Sequence, residues 1–322
     1  MGLVSADWVI REAVEVDPSL VLPLFNLTRS DPVDLAGFLE RRNRFRNSML
    51  HEVVMEVEGT VVGWGLVYRW YDERLTFQPT LAVAPEHRRK GYGSFLLEKL
   101  ESQALALGAT ELRVEVRDSD VGAHDALGRR GYGFHNWMFE SVLTLANLDT
   151  SAYESVVIGL RASGLEFATM AELGTREGSS QLAWAKAAWE IEYLTDLDIP
   201  GMDADERMTW DQYQEIVMPS PHYRPNAMVF ALKDGVVAGM ASLIEIEEGK
   251  FYNSATCVRR EFRGQGLATA LKVVALAKAR DLGGKTVRTN NDARNAPMLA
   301  VNDRLGYVRE PGWKTFAKLV KV

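Results

Sequence analysis

Cysteine is nearly absent: Cys257 is the one thiol in 322 residues. That excludes an intrachain disulfide framework and fits a reducing compartment. No apolar run approaches the roughly 20 residues a helix needs to cross a bilayer. The opening stretch, Met1 to Val14, has no basic segment followed by an apolar one, so no signal peptide is expected. These absences point to a soluble, cytoplasmic protein. Cationic excess is missing too. The net charge is −7, and six of those surplus negative charges fall in the first 150 residues. Such a chain is a poor candidate for nucleic-acid binding, which depends on phosphate neutralisation. Its sign weakly favours cationic small substrates or basic peptide tails. The five histidines show no metal-ligand spacing with cysteine or aspartate, so no metal is expected.

What the sequence does have is a repeat. Arg88, Gly91 and Gly93 recur as Arg263, Gly266 and Ala268, each 175 positions later, and Gly131–Tyr132 recurs as Gly306–Tyr307 at the same offset. Upstream, "VEGTVVGWG" lies over "LKDGVVAGM" with the offset changed by one. A domain-sized repeat with nearly constant spacing implies a duplicated domain. Two copies, 1–149 and 150–322, are expected, with the junction near Ala146 to Tyr153.

Each copy reads alike. A hairpin is expected at Glu58-Gly59 or Asp234-Gly235. A strand follows, "LTFQPTLAV" or "FYNSATCV", then an Arg/Gly loop. Next comes an amphipathic helix stopped by glycine, "SFLLEKLESQALALG" or "TALKVVALAKARDLGG". Another strand, "ELRVEV" or "KTVRT", leads to a short helix ending at Gly-Tyr. An alternating strand closes each copy, "WMFESVLTL" or "WKTFAKLV". Hairpins early and a strand–helix–strand unit late predict an α/β (α+β mixed) domain with a mixed, mostly antiparallel sheet flanked by helices. Gly174 to Asp211 reads as longer and less regular than its counterpart.

The Arg/Gly loop aims backbone N–H groups and the positive end of a helix at one spot, which suits an anion. Glycine allows the backbone to approach a ligand closely, and arginine keeps its charge at every relevant pH. Neither copy contains the nucleoside-triphosphate pattern G-x-x-x-x-G-K-[ST]. Both also miss the third glycine of the dinucleotide fingerprint, with Leu96 or Thr269 standing there. The loop alone could be no more than a tight strand-to-helix turn.

"RRKGYG" and "RGQGLA" both resemble the [QR]-x-x-G-x-[GA] loop of the GNAT superfamily of N-acetyltransferases, and the flanking order of elements resembles that family twice. The resemblance covers both halves, in the tandem two-domain arrangement, and is weakest at Gly174 to Asp211. It implies acetyl-CoA as co-substrate, its pyrophosphate in the loop and its pantetheine arm along the preceding strand. In copy one those positions are Leu81, Ala82 and Val83, with Arg88, Arg89, Lys90, Gly91, Tyr92, Gly93 and Ser94. In copy two they are Thr256, Cys257 and Val258, with Arg263, Gly264, Gln265, Gly266, Leu267, Ala268 and Thr269.

Copy two has a polar helix near its end. Asn295 reads as an N-cap with Pro297 in the first turn, and Asn295, Met298, Asn302 and Leu305 fall on one stripe. Asn295 and Asn302 could simply cap and satisfy backbone. The resemblance implies instead that Asn295 contacts pantetheine and that Asn302 lies near the thioester sulfur. Copy one has Asp120 and Leu127 there, so catalysis is expected in copy two. Many family members carry a tyrosine at the Asn302 position, where it protonates the departing thiolate. Asparagine can donate a hydrogen bond but not an acidic proton, so the identity of the acid stays open.

Glu245 and Glu247 are candidate bases, with Glu245 preferred. His222 and Tyr223, in the proline-bounded "SPHYRP", are candidate substrate contacts. Cys257 reads as a buried small hydrophobe rather than a nucleophile. "ERRNRFRN", Glu40 to Asn47, reads as a solvated helix face or the lining of a site for an acidic group. The expected acceptor is a small-molecule amine or a peptide amine. A CoA-binding scaffold without turnover is the alternative.

Overall fold

The computed structural model describes residues 4–5, 8–13, 18–29, 32–46, 48–69, 75–200 and 207–320. The chain divides into two compact units. Unit 1 comprises Met1–His135 with Lys314–Val322, and unit 2 comprises Asn136–Trp313. Ala146 to Tyr153, where the repeat suggests a junction, therefore lies inside unit 2.

Unit 1 contains strands β1 (Val4–Ser5) and β2 (Trp8–Glu12) and helices α1 (Pro18–Asn26) and α2 (Leu35–Arg44). Strands β3 (Met49–Val57), β4 (Thr60–Tyr68) and β5 (Thr76–Val83) follow, then α3 (Tyr92–Ala106), β6 (Glu111–Arg117), α4 (Val121–Arg129) and the start of β7 (Gly133–Thr144). The sheet order is β1-β2-β3-β4-β5-β6. The pairs are antiparallel except β5 with β6. The hairpin turn expected between β3 and β4 forms with Glu58 at φ 49° and Gly59 at φ 78°. Two successive positive φ values give the twist that a tight hairpin needs.

Unit 2 repeats the plan. It holds the rest of β7, then α5 (Glu154–Ala162), β8 (Leu165–Thr169), α6 (Met170–Gly174), α7 (Gln181–Thr195) and a short α8 (Trp210–Gln212). Strands β9 (Met228–Lys233), β10 (Val236–Glu247) and β11 (Lys250–Val258) follow, then α9 (Leu267–Asp281), β12 (Thr286–Asp292), α10 (Ala296–Arg304) and the first half of β13 (Val308–Leu319). The sheet order is β7-β12-β11-β10-β9-β8. Only β11 with β12 is parallel among its recorded pairs. The second hairpin turn uses Asp234 at φ 52° and Gly235 at φ 79°.

The run that ends each repeat in sequence counts with the other unit. Residues 138–144 of β7 pair along Thr286–Asp292 of β12, inside unit 2. The tail of β13 belongs to unit 1, where Val320 N–H donates to the Thr110 carbonyl at 2.9 Å. In unit 2 the outer strand of the parallel pair thus gains an antiparallel neighbour that satisfies its second edge.

Helix α9 follows from its sequence. Gly266 caps it at φ +80°, Ala270, Leu271, Ala275, Leu276 and Ala279 are buried, and Lys278 and Arg280 meet the negative end of the helix dipole. Within the irregular-looking Gly174–Asp211 stretch lies the 15-residue α7. Its stripe of Ala185, Ala188 and Ile191 buries against Met240 and Phe230, and small alanines had muted the apolar periodicity.

Candidate functional site

The parallel pair in each unit splays open. Strand β11 pairs with β12 only at Lys250, Phe251 and Tyr252, leaving the edge from Ser254 to Val258 facing a wedge. Strand β5 pairs with β6 only at Thr76 and Phe77. An unpaired strand edge at the end of a sheet offers N–H and C=O groups to an extended ligand. Leu81, Ala82 and Val83 line this edge in unit 1, as do Thr256, Cys257 and Val258 in unit 2.

The loops at the strand ends are built alike. Arg88 Nε donates to the Val83 carbonyl at 3.0 Å, and Arg263 Nε donates to the Val258 carbonyl at 2.9 Å. Part of each arginine therefore braces the loop onto its strand. Arg89 at φ 59° matches Gly264 at φ 75°, and Gly91 at φ 87° matches Gly266 at φ 80°. The same left-handed kinks turn the backbone before α3 and α9. Among the described residues no hydrogen-bond partner meets the N–H groups of Gly264, Gln265, Gly266, Leu267, Ala268 and Thr269. Lys90, Gly91, Tyr92 and Gly93 leave theirs equally open, whereas Ser94 N–H donates to Gly91 C=O at 2.9 Å. Six open donors at a helix start fit a diphosphate. A Cβ added at Gly264 would meet nothing within 4 Å, whereas one at Gly266 would lie 3.1 Å from Val156 Cγ1.

The two wedges differ in their linings. Strand β11 bulges at Ser254: Ser242 opposes Ala255 and Leu243 opposes Asn253, while β5 passes the same point in regular register. A bulge re-aims the groups beside it. Asn253 staples this one, its Nδ2 donating to Ser242 O at 2.9 Å and Ala255 O at 2.7 Å. Its Oδ1 accepts from Thr256 Oγ1 at 3.1 Å and its carbonyl from Thr289 Oγ1 at 3.2 Å.

Asn302 is buried in unit 2. Its Oδ1 accepts from Lys272 Nζ at 2.6 Å and its Nδ2 donates to Asn291 Oδ1 at 2.6 Å. Burial lowers the Lys272 ammonium to about 7. Asn295 caps α10, its Oδ1 accepting from Met298 N–H at 3.3 Å, as Asp120 caps α4 through Ala123 N–H at 3.0 Å. Capping thus accounts for Asn295 without a ligand, while Asn302 sits in a polar chain.

On the α7 side of β11, Glu192 stands out. Burial pushes its carboxyl up to about 8, with help from Asp196. Among the described residues its carboxylate meets no hydrogen-bond or ion-pair partner, and the residue is not sealed from water. Tyr213 and Tyr223 lie beside it. The Tyr213 hydroxyl is buried against that of Tyr223, and the Tyr223 hydroxyl donates to Met170 Sδ at 3.1 Å. Cys257 is buried. Burial, then the Glu192 charge, pushes its thiol well above the ordinary range, so it is inert as a nucleophile.

Glu245 is differently placed. Burial alone would raise its carboxyl, yet Arg224 at 2.9 Å and the Gly249 N–H outweigh that and hold it below the usual range. An ion-paired carboxylate is a weak base. His222 Nδ1 shares a hydrogen bond with the Glu245 carbonyl at 2.7 Å, and His222 O accepts from Glu245 N–H at 3.2 Å. The structure thus brings His222 and Glu245 together. Glu247 pairs with Lys250 at 2.6 Å near the hairpin end. In "ERRNRFRN", Arg42 pairs with Glu52 at 2.6 Å, and Asn47 lies outside the described residues.

Glu192, Asn253, Lys272 and Asn291 escaped the sequence reading. Lys272 had a signal: it stands where the repeat has Leu97, in the middle of an apolar helix face. Glu192 had none, because nothing aligned α7 with its surroundings. Among the described residues no group of three or more His, Cys, Asp or Glu could hold a metal ion, and no helix of the described residues is long and apolar enough to cross a membrane.

The sequence profile described as "Acetyltransferase (GNAT) family" matches residues 20–134 and again 188–307. The amino-acid acetyltransferase of Pseudomonas putida is 33% identical over 108 residues, covering 33% of this chain and 24% of its own. The match thus spans about a quarter of that relative's length. The thialysine N-epsilon-acetyltransferase of Sus scrofa is 30% identical over 159 residues, 42% of this chain and 94% of its own. Two solved structures share the fold end to end. A GCN5-related N-acetyltransferase from Sphaerobacter thermophilus superimposes with TM-score 0.75 at 15% identity, covering 99% of this chain and 98% of its own. A tandem GNAT protein from the clavulanic acid biosynthesis pathway does so with TM-score 0.71 at 20% identity, covering 98% and 99%.

Proposed function

The chain is a tandem member of the GNAT acetyltransferase family, and from that premise we propose that it transfers the acetyl group of acetyl-CoA to a small amine, with unit 2 as the reacting half. The observation that carries the choice of unit is the contrast between the wedges. Unit 2 has a stapled bulge and a buried polar chain where unit 1 has a regular strand and apolar side chains.

The residues support direct transfer. The free N–H groups from Gly264 to Thr269 and the Arg263 charge suit the diphosphate of acetyl-CoA. The open edge of β11 from Ser254 to Val258 suits its amide-bearing arm, and this arm runs toward the bulge. The amine nitrogen attacks the thioester carbonyl carbon, the developing oxyanion takes backbone N–H donors at the bulge, and the carbon–sulfur bond breaks. Asn302 offers an N–H to the departing thiolate. The amine must arrive neutral, and Glu192 is the better proton acceptor than Glu245. Its carboxyl titrates near neutral pH, whereas Glu245 is held ionised by Arg224. Tyr213 and Tyr223 flank the acceptor beside it.

Both sequence relatives are named for acceptors that are amino acids or close analogues, which supports a small amine over a peptide. The test is a panel of amino acids, polyamines and short peptides, with released CoA measured as free thiol and the product by mass. Acetylation of a small amine is the expected result. CoA binding without turnover on any member would make the protein a CoA-binding scaffold instead.

A further inference from the structure

The duplication supplies an internal control for every residue of unit 2. Helices α9 and α3, strands β12 and β6, and helices α10 and α4 align at one constant offset. Lys272, Asn291 and Asn302 therefore stand where unit 1 has Leu97, Val116 and Leu127. Leu97 and Leu127 are buried, and Val116 packs against the same core. Unit 1 closes its fold with an apolar triplet, so the fold does not require polar groups at these positions.

Placing a lysine there is unfavourable on its own account. Lys272 and Asn302 are 2% and 1% exposed. Burying an amine and a carboxamide, even paired, is commonly no better for stability than an apolar set of similar volume. Something other than packing keeps them.

The geometry points to Lys272 as the positioning residue for Asn302, a role that rests on unit 2 being the reacting half. A carboxamide has one acceptor oxygen and two N–H donors. Lys272 Nζ takes the oxygen at 2.6 Å, and Asn291 Oδ1 takes one N–H at 2.6 Å. Among the described residues nothing accepts the second N–H. The two contacts fix which end of the amide faces the core and leave one donor free for the thiolate as the carbon–sulfur bond breaks. Without Lys272 the amide can flip and present its oxygen, which repels a thiolate. Lys272 touches neither substrate and acts through Asn302.

Three variants test this in the full chain with acetyl-CoA and the best amine of the panel. Lys272→Met removes the donor but keeps the length, and kcat should fall about 10- to 100-fold, the loss of one oriented donor, with KM for acetyl-CoA nearly unchanged. Lys272→Gln restores an N–H without the charge and should recover kcat to within about threefold of wild type. The triple variant Lys272→Leu, Asn291→Val, Asn302→Leu recreates the unit 1 set. It should melt no lower than wild type while transferring slowly. Unchanged kcat in Lys272→Met, equal losses in Met and Gln, or a triple variant that melts well below wild type would each overturn the assignment. A wild type that binds CoA but acetylates no amine overturns the proposed activity instead, and the two failures are read from different proteins.

Discussion

Asp198, just after α7, forms an ion pair of 2.5 Å with Arg263 on the loop that precedes α9, and its other oxygen lies 2.6 Å from Arg260. Hydrogen bonds from Arg260 and then Arg263 hold this carboxyl below its ordinary range. A side-chain anion thus already sits on the arginine that the diphosphate of acetyl-CoA would use.

Replacing Asp198 with Asn should therefore tighten CoA binding. A partly exposed pair of this kind is worth up to about 1 kcal/mol, so Kd should fall by up to about fivefold. Calorimetry at fixed ionic strength measures it. Weaker binding would mean that Asp198 shapes the loop rather than competing for it.

Gly264→Asp should remove one CoA-binding event per chain. The left-handed φ of +75° costs about 1 kcal/mol with a side chain, but the added Cβ meets nothing within 4 Å, so the fold should survive. The new carboxylate then faces the open donors. Gly266 is the poorer choice, because Val156 lies 3.1 Å from any Cβ there and a loss of binding could be a loss of fold.

Glu192 makes stability depend on pH, and the sign follows from the direction of its shift. Its carboxyl is raised by burial from 4.5 to about 8, so the folded state binds the proton more tightly than the unfolded chain. The stability this contributes is full below about 4.5 and drains away as pH rises toward about 8. Wild type should therefore lose stability relative to Glu192→Gln between pH 5 and pH 8, by on the order of 2 kcal/mol. That is less than the ~1.4 kcal/mol per unit of a sealed group, because Glu192 reaches water. Denaturant titrations at three pH values check it. A pH-independent difference would mean that the carboxyl titrates normally. In turnover, wild type should gain activity through the same limb and the Gln variant should lack it.

Cys257 should be a bystander. Burial holds its thiol protonated, so native protein should resist a thiol reagent that reacts at once after unfolding. Cys257→Ala should transfer acetyl groups at nearly the wild-type rate while losing about 1 kcal/mol of packing. Accumulation of an acetylated cysteine would contradict direct attack.

Much of this was legible in the residues. The fixed offset announced two copies, and the hairpin turns at Glu58-Gly59 and Asp234-Gly235 formed where dipeptides with positive φ require them. The Arg/Gly loops were readable because glycine has so few reasons to precede a helix. The strand exchange was not readable, since β7 and β13 alternate like any half-buried strand and alternation does not name a partner. The bulge at Ser254 also stayed hidden: it adds one residue to a strand whose flanking offsets already shift. Asn302 was visible as an odd amide on a helix stripe, but Lys272 and Asn291 are far from it in sequence. Only the fold brings the three side chains together. Glu192 owes its raised proton affinity first to burial and then to the Asp196 charge, and burial is encoded by no local pattern.

The central claim is that unit 2 carries out the transfer, and one comparison tests it most directly: initial rates of CoA release with the best amine for wild type, Gly264→Asp and Arg89→Asp. These two positions occupy the same turn of the two loops, so the substitutions place the same carboxylate in each. Gly264→Asp should lose more than about 30-fold of the rate, the scale of losing diphosphate binding, while Arg89→Asp should stay near wild type. A folded Arg89→Asp protein that is inactive beside an active Gly264→Asp would place the chemistry in unit 1 and contradict the central claim.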